Sequence, residues 1–230
     1  MDNTIENLKN NKGFNCDVLE ALRRKTGRIL YADSGDFLVY ETVSGANYMN
    51  AATSSVAAHM LELVENGNLF SIRQKEYVEI IEKIFPVKYR IKCMQAHYAK
   101  NTPAYIPEIP FEIVRLNPSH IPIIKSHYKE VTSEGYIEGR INEGMFGVVH
   151  ENELAGFIGK HDEGSIGLLH ILPAYRRMNL GAALTAFMVN RALELGEIPF
   201  SQVTLGNDAS LALHKKIGFS ISNEYLYWLD

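Results

Sequence analysis

Two arginines, a histidine and a run of small residues lie close together in the stretch Leu168-Leu169-His170-Ile171-Leu172-Pro173-Ala174-Tyr175-Arg176-Arg177-Met178-Asn179-Leu180-Gly181-Ala182-Ala183-Leu184. The stretch reads as a short apolar strand, a tight basic turn and the first turn of a long helix. A helix start gathers unpaired backbone N–H groups and the positive end of the helix dipole, which suits a phosphate. Arg176 and Arg177 stand at the mouth of the turn, and Gly181 and Ala182 keep side-chain bulk away where a ligand must approach the backbone. The spacing predicts a pyrophosphate cradle. His170, inside the strand, turns its side chain to the face opposite Leu169 and Ile171 by alternation. An imidazole titrating near neutrality can act as a base, or it can be a packed core histidine.

A second group follows at Asn207, Ser210 and His214, three and four residues apart. On a helix that spacing makes one polar stripe, able to bond a cofactor's amides. Asn207 or Asp208 also suits a helix N-cap. His214 closes the stripe, where the plain reading is an exposed polar residue. His161 and Asp162 share a turn, but two such residues make no metal site.

These groups need elements to hold them. Residues 1–25 carry helical patterns, and strands are expected at 28–31, 37–41, 46–51 and 89–98, with helices at 56–64 and 77–84. Residues 101–110 hold three prolines, which remove N–H donors and favour extended chain, so a boundary is expected there, between domains 1–105 and 106–230. Beyond it, strands at 111–116, 145–150, 154–160, 166–172, 200–205 and 219–229 alternate with helices at 121–129, 136–142, 180–195 and 209–217. The order β-α-α-β-β-β-α-β-α-β predicts a mixed α/β layer.

The net charge of −4 gives no reason to expect a nucleic acid or an anionic membrane as partner. Cys16 and Cys93 are the only cysteines and form no CxxC pair, which argues against a disulfide scaffold or a zinc site. The polar start Met1-Asp2-Asn3-Thr4-Ile5-Glu6 is unlike a signal peptide. No apolar run approaches the roughly 18 residues of a membrane helix. A soluble cytoplasmic protein is expected, monomer or homodimer.

The order of elements, the run 171–182 and the run Asn207-Asp208-Ala209-Ser210-Leu211-Ala212-Leu213-His214-Lys215-Lys216-Ile217-Gly218-Phe219 together resemble the GNAT superfamily of acyl-CoA-dependent N-acetyltransferases. The resemblance covers about residues 111–230 and is nearest to the FR47-like, glycine N-acyltransferase-like branch. It implies a GNAT fold in the C-terminal half, with the N-terminal α/β half as a degenerate copy. It implies acetyl-CoA or another acyl-CoA as co-substrate, no metal, and a small-molecule or peptide amine as acceptor. Leu169 and Ile171 would offer backbone groups to the pantetheine arm. Arg176, Arg177, Met178, Asn179, Leu180, Gly181 and Ala182 would form the phosphate loop, with Asn207 and Ser210 also on coenzyme A. Asn179 stands where the family has a glycine, and asparagine tolerates the left-handed backbone well. His214 falls where many members carry a tyrosine acid, and His170 is the candidate base. The branch's catalytic glutamate falls near Ser165 and is not carried over. The alternative is an acyl-CoA-binding sensor without turnover.

Overall fold

The computed structural model describes residues 2–128, 134–151 and 153–230, and at 2–4 the backbone alone. Lys129 and Asn152, expected at a helix end and in a hairpin turn, lie outside the described residues. The chain forms two compact units, one of residues 1–97, 202–211 and 220–230, the other of residues 98–201 and 212–219.

The first unit contains α1 (Asp2–Asn10), α2 (Cys16–Arg23), β1 (Gly27–Asp33), β2 (Asp36–Glu41), β3 (Ala46–Asn50), α3 (Ser54–Glu62), β4 (Leu69–Ile72), α4 (Val78–Ile84) and β5 (Arg90–His97). Strands β1, β2 and β3 pair antiparallel, and β3 pairs parallel with β4. Both faces of this sheet are covered, and strict alternation sorts the side chains. Phe37, Val39 and Tyr48 enter one core with Leu8, Val18 and Ala21. Their neighbours Leu38 and Met49 enter the other, with Met60, Phe70, Ile72 and Ile81. Continuous burial along β2 and β3 is what a strand covered on both faces shows.

The second half of the chain runs β6 (Glu112–Arg115), α5 (Ile121–His127), α6 (Tyr136–Gly144), β7 (Phe146–His150), β8 (Glu153–Lys160), β9 (Ile166–Ile171), α7 (Leu180–Glu194), β10 (Phe200–Thr204), α8 (Asp208–Ile217) and β11 (Ser220–Leu229). This is the order expected from the sequence. The first four strands form an antiparallel sheet, β6-β7-β8-β9. A core of Leu116, Ile124, Ile137, Ile141, Met145, Phe157 and Leu168 joins α5 and α6 to this sheet. Helix α7 packs on β8 and β9, and its Phe187 ring meets Phe146 at 4.9 Å. The proline-rich segment takes no regular structure. Asn190 of α7 holds it, accepting from the Ala104 N–H at 2.7 Å and donating to the Ala104 carbonyl at 3.0 Å.

The last strand, β11, lies in the first unit's sheet, in the order β1-β2-β3-β4-β11-β5-β10. It is antiparallel to both β4 and β5, with Trp228 opposite Ser71 on one side and Ile91 on the other. Among the described residues, no helix is long and apolar enough to cross a membrane.

Candidate functional site

Among the described residues, strand β9 pairs with β8 alone, at the edge of its sheet. The Leu172 N–H donates to Ala155 O beside β8. By alternation the backbone groups of Ile171 and Leu169 face the other way, along the edge where none of the described strands pairs. A bulge sits just upstream. Phe157 pairs with His170 and Gly159 with Gly167, so Leu168 and Leu169 together oppose Ile158. Leu168 takes a left-handed backbone, φ 53°, with its side chain buried in the core. Such bulges re-aim a strand near functional sites, and the sequence carried no signal for this one.

The turn after β9 is a short 3-10 turn, Pro173–Tyr175, followed by Arg176-Arg177-Met178-Asn179. Asn179 is left-handed, at φ 59° and ψ 8°. This is the conformation expected of an asparagine standing for a glycine. Arg177 is left-handed too, at φ 69°. A non-glycine residue held there costs roughly 1–2 kcal/mol, so the surrounding turn must impose it. Arg176 and Arg177 are both exposed. Arg176 folds back, its Nε donating to Ile171 O at 3.2 Å, which braces the turn against the strand.

Helix α7 begins with its donors open. The first intrahelical bond there runs from the Ala183 N–H to Asn179 O. The N–H groups of Leu180, Gly181 and Ala182 precede it and have no acceptor within the helix. The Asn179 side chain does not cap them. Its Oδ1 instead accepts from Lys216 Nζ at 3.1 Å. A methyl on Gly181 would have Leu213, Ile171 and Leu169 as its nearest neighbours, at ordinary contact distances of 3.7–3.9 Å. Packing therefore does not demand glycine there. Leu180 and Ala182 are buried, and Met178 is 37% exposed.

His170 points to the face of β9 that carries α5. Its ring stacks on Phe157, centroids 5.6 Å apart and 20° between planes, and meets His127 at 5.5 Å. His214 is buried, its ring edge-to-face with Phe219 at 4.9 Å. Asn207 stands just before α8, and its Oδ1 accepts from the Ser210 N–H at 3.1 Å, so the capping role is present. Asn207 and Ser210 belong to the first unit, whereas His170, His214 and residues 176–182 belong to the second.

A polar cluster that the sequence reading did not assemble lies where the β8–β9 turn meets α6. The Tyr136 hydroxyl and His161 Nδ1 are 2.8 Å apart. Arg140 bridges Glu143 and Asp162, and Ser165 bonds Glu163. Burial, with Glu163 and Asp162 nearby, raises the Tyr136 phenol well above its usual range. Burial also raises Asp162, against the pull of Arg140. Gly167 makes room for the His161 ring: a Cβ there would lie 2.4 Å from Nε2. Only the spacing of Tyr136 from His161 in the fold, not in the chain, reveals the pair.

Residues 144–229 match the family model described as FR47-like protein. Among solved structures, the chain is similar to a Drosophila protein at 16% identity and TM-score 0.75, covering 99% of this chain and 94% of that one. It is similar to a GCN5-related N-acetyltransferase-like protein of Streptococcus suis at 15% identity and TM-score 0.56, covering 99% and 100%. A GCN5-related N-acetyltransferase of Kribbella flavida matches at 11% identity and TM-score 0.54, covering 94% and 93%. At these identities the likeness is one of fold. No curated protein sequence matches significantly.

Proposed function

We propose that the chain is an acyl-CoA-dependent N-acyltransferase of the GNAT superfamily's FR47-like branch, most simply an acetyltransferase acting on a primary amine, a reading supported by the FR47-like family model over residues 144–229. The observation that carries this reading is the uncapped start of α7 beside the open edge of β9. Unmet donors in a helix start are a ready site for a pyrophosphate. Gly181 adds no side chain beside these donors, which keeps the backbone approachable.

Acyl-CoA, when bound, supplies an activated thioester that an amine attacks directly, releasing coenzyme A. The N–H groups of Leu180, Gly181 and Ala182 bind the pyrophosphate, with Arg177 adding charge from the turn. Arg176, already braced on Ile171, holds the strand and the turn in register. The outward N–H and C=O groups of Leu169 and Ile171 align the pantetheine arm, and an N–H there steadies charge on the thioester oxygen. His170 takes the proton of the incoming ammonium. His214 is packed against Phe219, so the departing thiolate takes its proton from solvent in this reading. The proposal is confined to groups of the second unit, and Asn207 and Ser210 stand outside it. No metal enters, and a cytoplasmic setting suits a free-thiol chain.

A second reading, acyl-CoA binding without turnover, draws on the burial of His214. Calorimetric titration with acetyl-CoA, followed by a thiol-release assay over a panel of amines, decides between them. Saturable binding with thiol release supports the transferase. Binding without release on any amine favours the sensor, and no binding sinks both.

A further inference from the structure

The proline-rich segment takes no part in the transferase reading. It has neither helix nor strand, yet its prolines fix its backbone. Proline holds φ at about −65° and bars the residue before it from the helical region. Pro103, Pro107 and Pro110 therefore also constrain Thr102, Ile106 and Ile109. No residue from 101 to 110 has a positive φ, and no peptide bond among the described residues is cis. Such chain is extended in the polyproline-II manner, with about three residues per turn and no internal hydrogen bonds. Burial from 103 to 108 follows that period. Ala104 is buried and Pro107 half-buried, whereas Pro103, Tyr105, Ile106 and Glu108 are exposed. One edge of the helix lies against the protein, and the other two face solvent.

The segment is also held in place. Asn190 clamps Ala104 by both its N–H and its carbonyl, and the Tyr98 hydroxyl donates to the Thr102 carbonyl at 3.0 Å. Just past the clamp, Tyr105 is 82% exposed and Ile106 38% exposed. A tyrosine so placed gains little from its own fold. What reads a preformed polyproline-II edge is a groove lined by aromatic rings, because little conformational entropy is lost on docking. Pro103 and Ile106 stand one turn apart on one outward edge and suit its apolar slots. Tyr105 and Glu108 stand one turn apart on the other. The tyrosine suits a pocket with a polar end, and the exposed carboxylate suits a basic rim. We infer that residues 103–108 are a docking strap for a partner protein that carries an aromatic groove with a basic rim, of the kind that binds proline-rich peptides.

The test is titration of the full chain against a panel of purified, labelled SH3, WW and EVH1 domains, read by fluorescence anisotropy. Saturable binding by at least one domain is expected. Tyr105→Ala weakens it by about tenfold or more, the loss of an aromatic anchor, and leaves the melting temperature of the free protein unchanged. Glu108→Lys weakens it as well, most at low salt, because it sets a cation against the basic rim. Tyr89→Ala, at a tyrosine 61% exposed outside the strap, leaves the affinity unchanged. The inference is overturned if no domain of the panel binds, if Tyr105→Ala binds as the wild type does, or if Tyr89→Ala loses as much. Acyl-CoA takes no part in this titration, so its outcome is separate from that of the transferase assay.

Discussion

The chain makes the same crossover twice, strand to helix to strand, and finishes it in opposite ways. In the first unit β3 leads through α3 to β4, and the two strands zip together in parallel from Ala46 opposite Leu69 to Met49 opposite Ile72. The link from β3 to α3 is three residues, Ala51-Ala52-Thr53, and Thr53 accepts the Val56 N–H, closing the helix start with its own side chain. In the second, β9 leads through α7 to β10, and these strands sit in different sheets. The link is eight residues, 172–179, with two arginines, two left-handed residues and no cap from Asn179. The difference teaches that element order is cheap to keep, whereas an open strand edge and open helix donors are costly. They persist where something else completes them.

The most severe way to break this contrast is to place a carboxylate at each helix start. Gly181→Glu is expected to lower acetyl-CoA affinity about 100-fold or more, by setting an unpaired charge against the bound phosphates. The equivalent Ser55→Glu in α3 leaves affinity unchanged. Titration of both variants checks this, and equal losses would remove the distinction.

Histidine use differs between the halves as well. His97 of the first unit is buried, and burial with Lys12 nearby lowers it from 6.5 to about 4. Its folded value lies below its unfolded one, so its contribution is intact above pH 6.5 and is lost as pH falls towards about 4. The loss reaches about 3 kcal/mol at most. Denaturant unfolding between pH 7 and 4 should show that slope in the wild type and a shallower one in His97→Gln.

Smaller changes test one exposed basic side chain and the two residues at the N-cap positions. Arg177→Ala should weaken acetyl-CoA binding about tenfold, and less at high salt, as expected for an exposed charge. Thr53→Ala should cost about 1 kcal/mol of stability with no effect on affinity. Asn179→Gly should shift stability by only a few tenths of a kcal/mol, since Asn179 caps nothing and glycine accepts its left-handed backbone. A loss as large as that of Thr53→Ala would show a capping role after all.

Most of the second half was legible because local patterns decide it. The basic turn between an apolar strand and a helix marks 168–184. Asn179 announced its own backbone. Other features depend on partners far along the chain. β4 is four residues long and was missed, because so short an apolar run has no measurable period. The bulge at Leu168 is set by how β8 is paired, and the left-handed Arg177 has no preference of its own to betray it. Asp17 and Arg73 stand in no motif, yet they meet across 56 residues with their side chains buried. His161 found Tyr136 by the same kind of distant pairing.

The placement of β11 has a consequence for synthesis. A ribosome delivers β4 and β5 long before residues 220–229, and those residues must fill the place between the two strands. Until they arrive, both strands expose unpaired edges that invite pairing with other chains. The nascent first unit is thus committed to waiting through more than half of translation, and a stalled or nicked chain that loses β11 would strand both edges at once. Such contacts between distant residues also slow folding after release. Growth conditions that lengthen this interval are where insoluble protein should appear first.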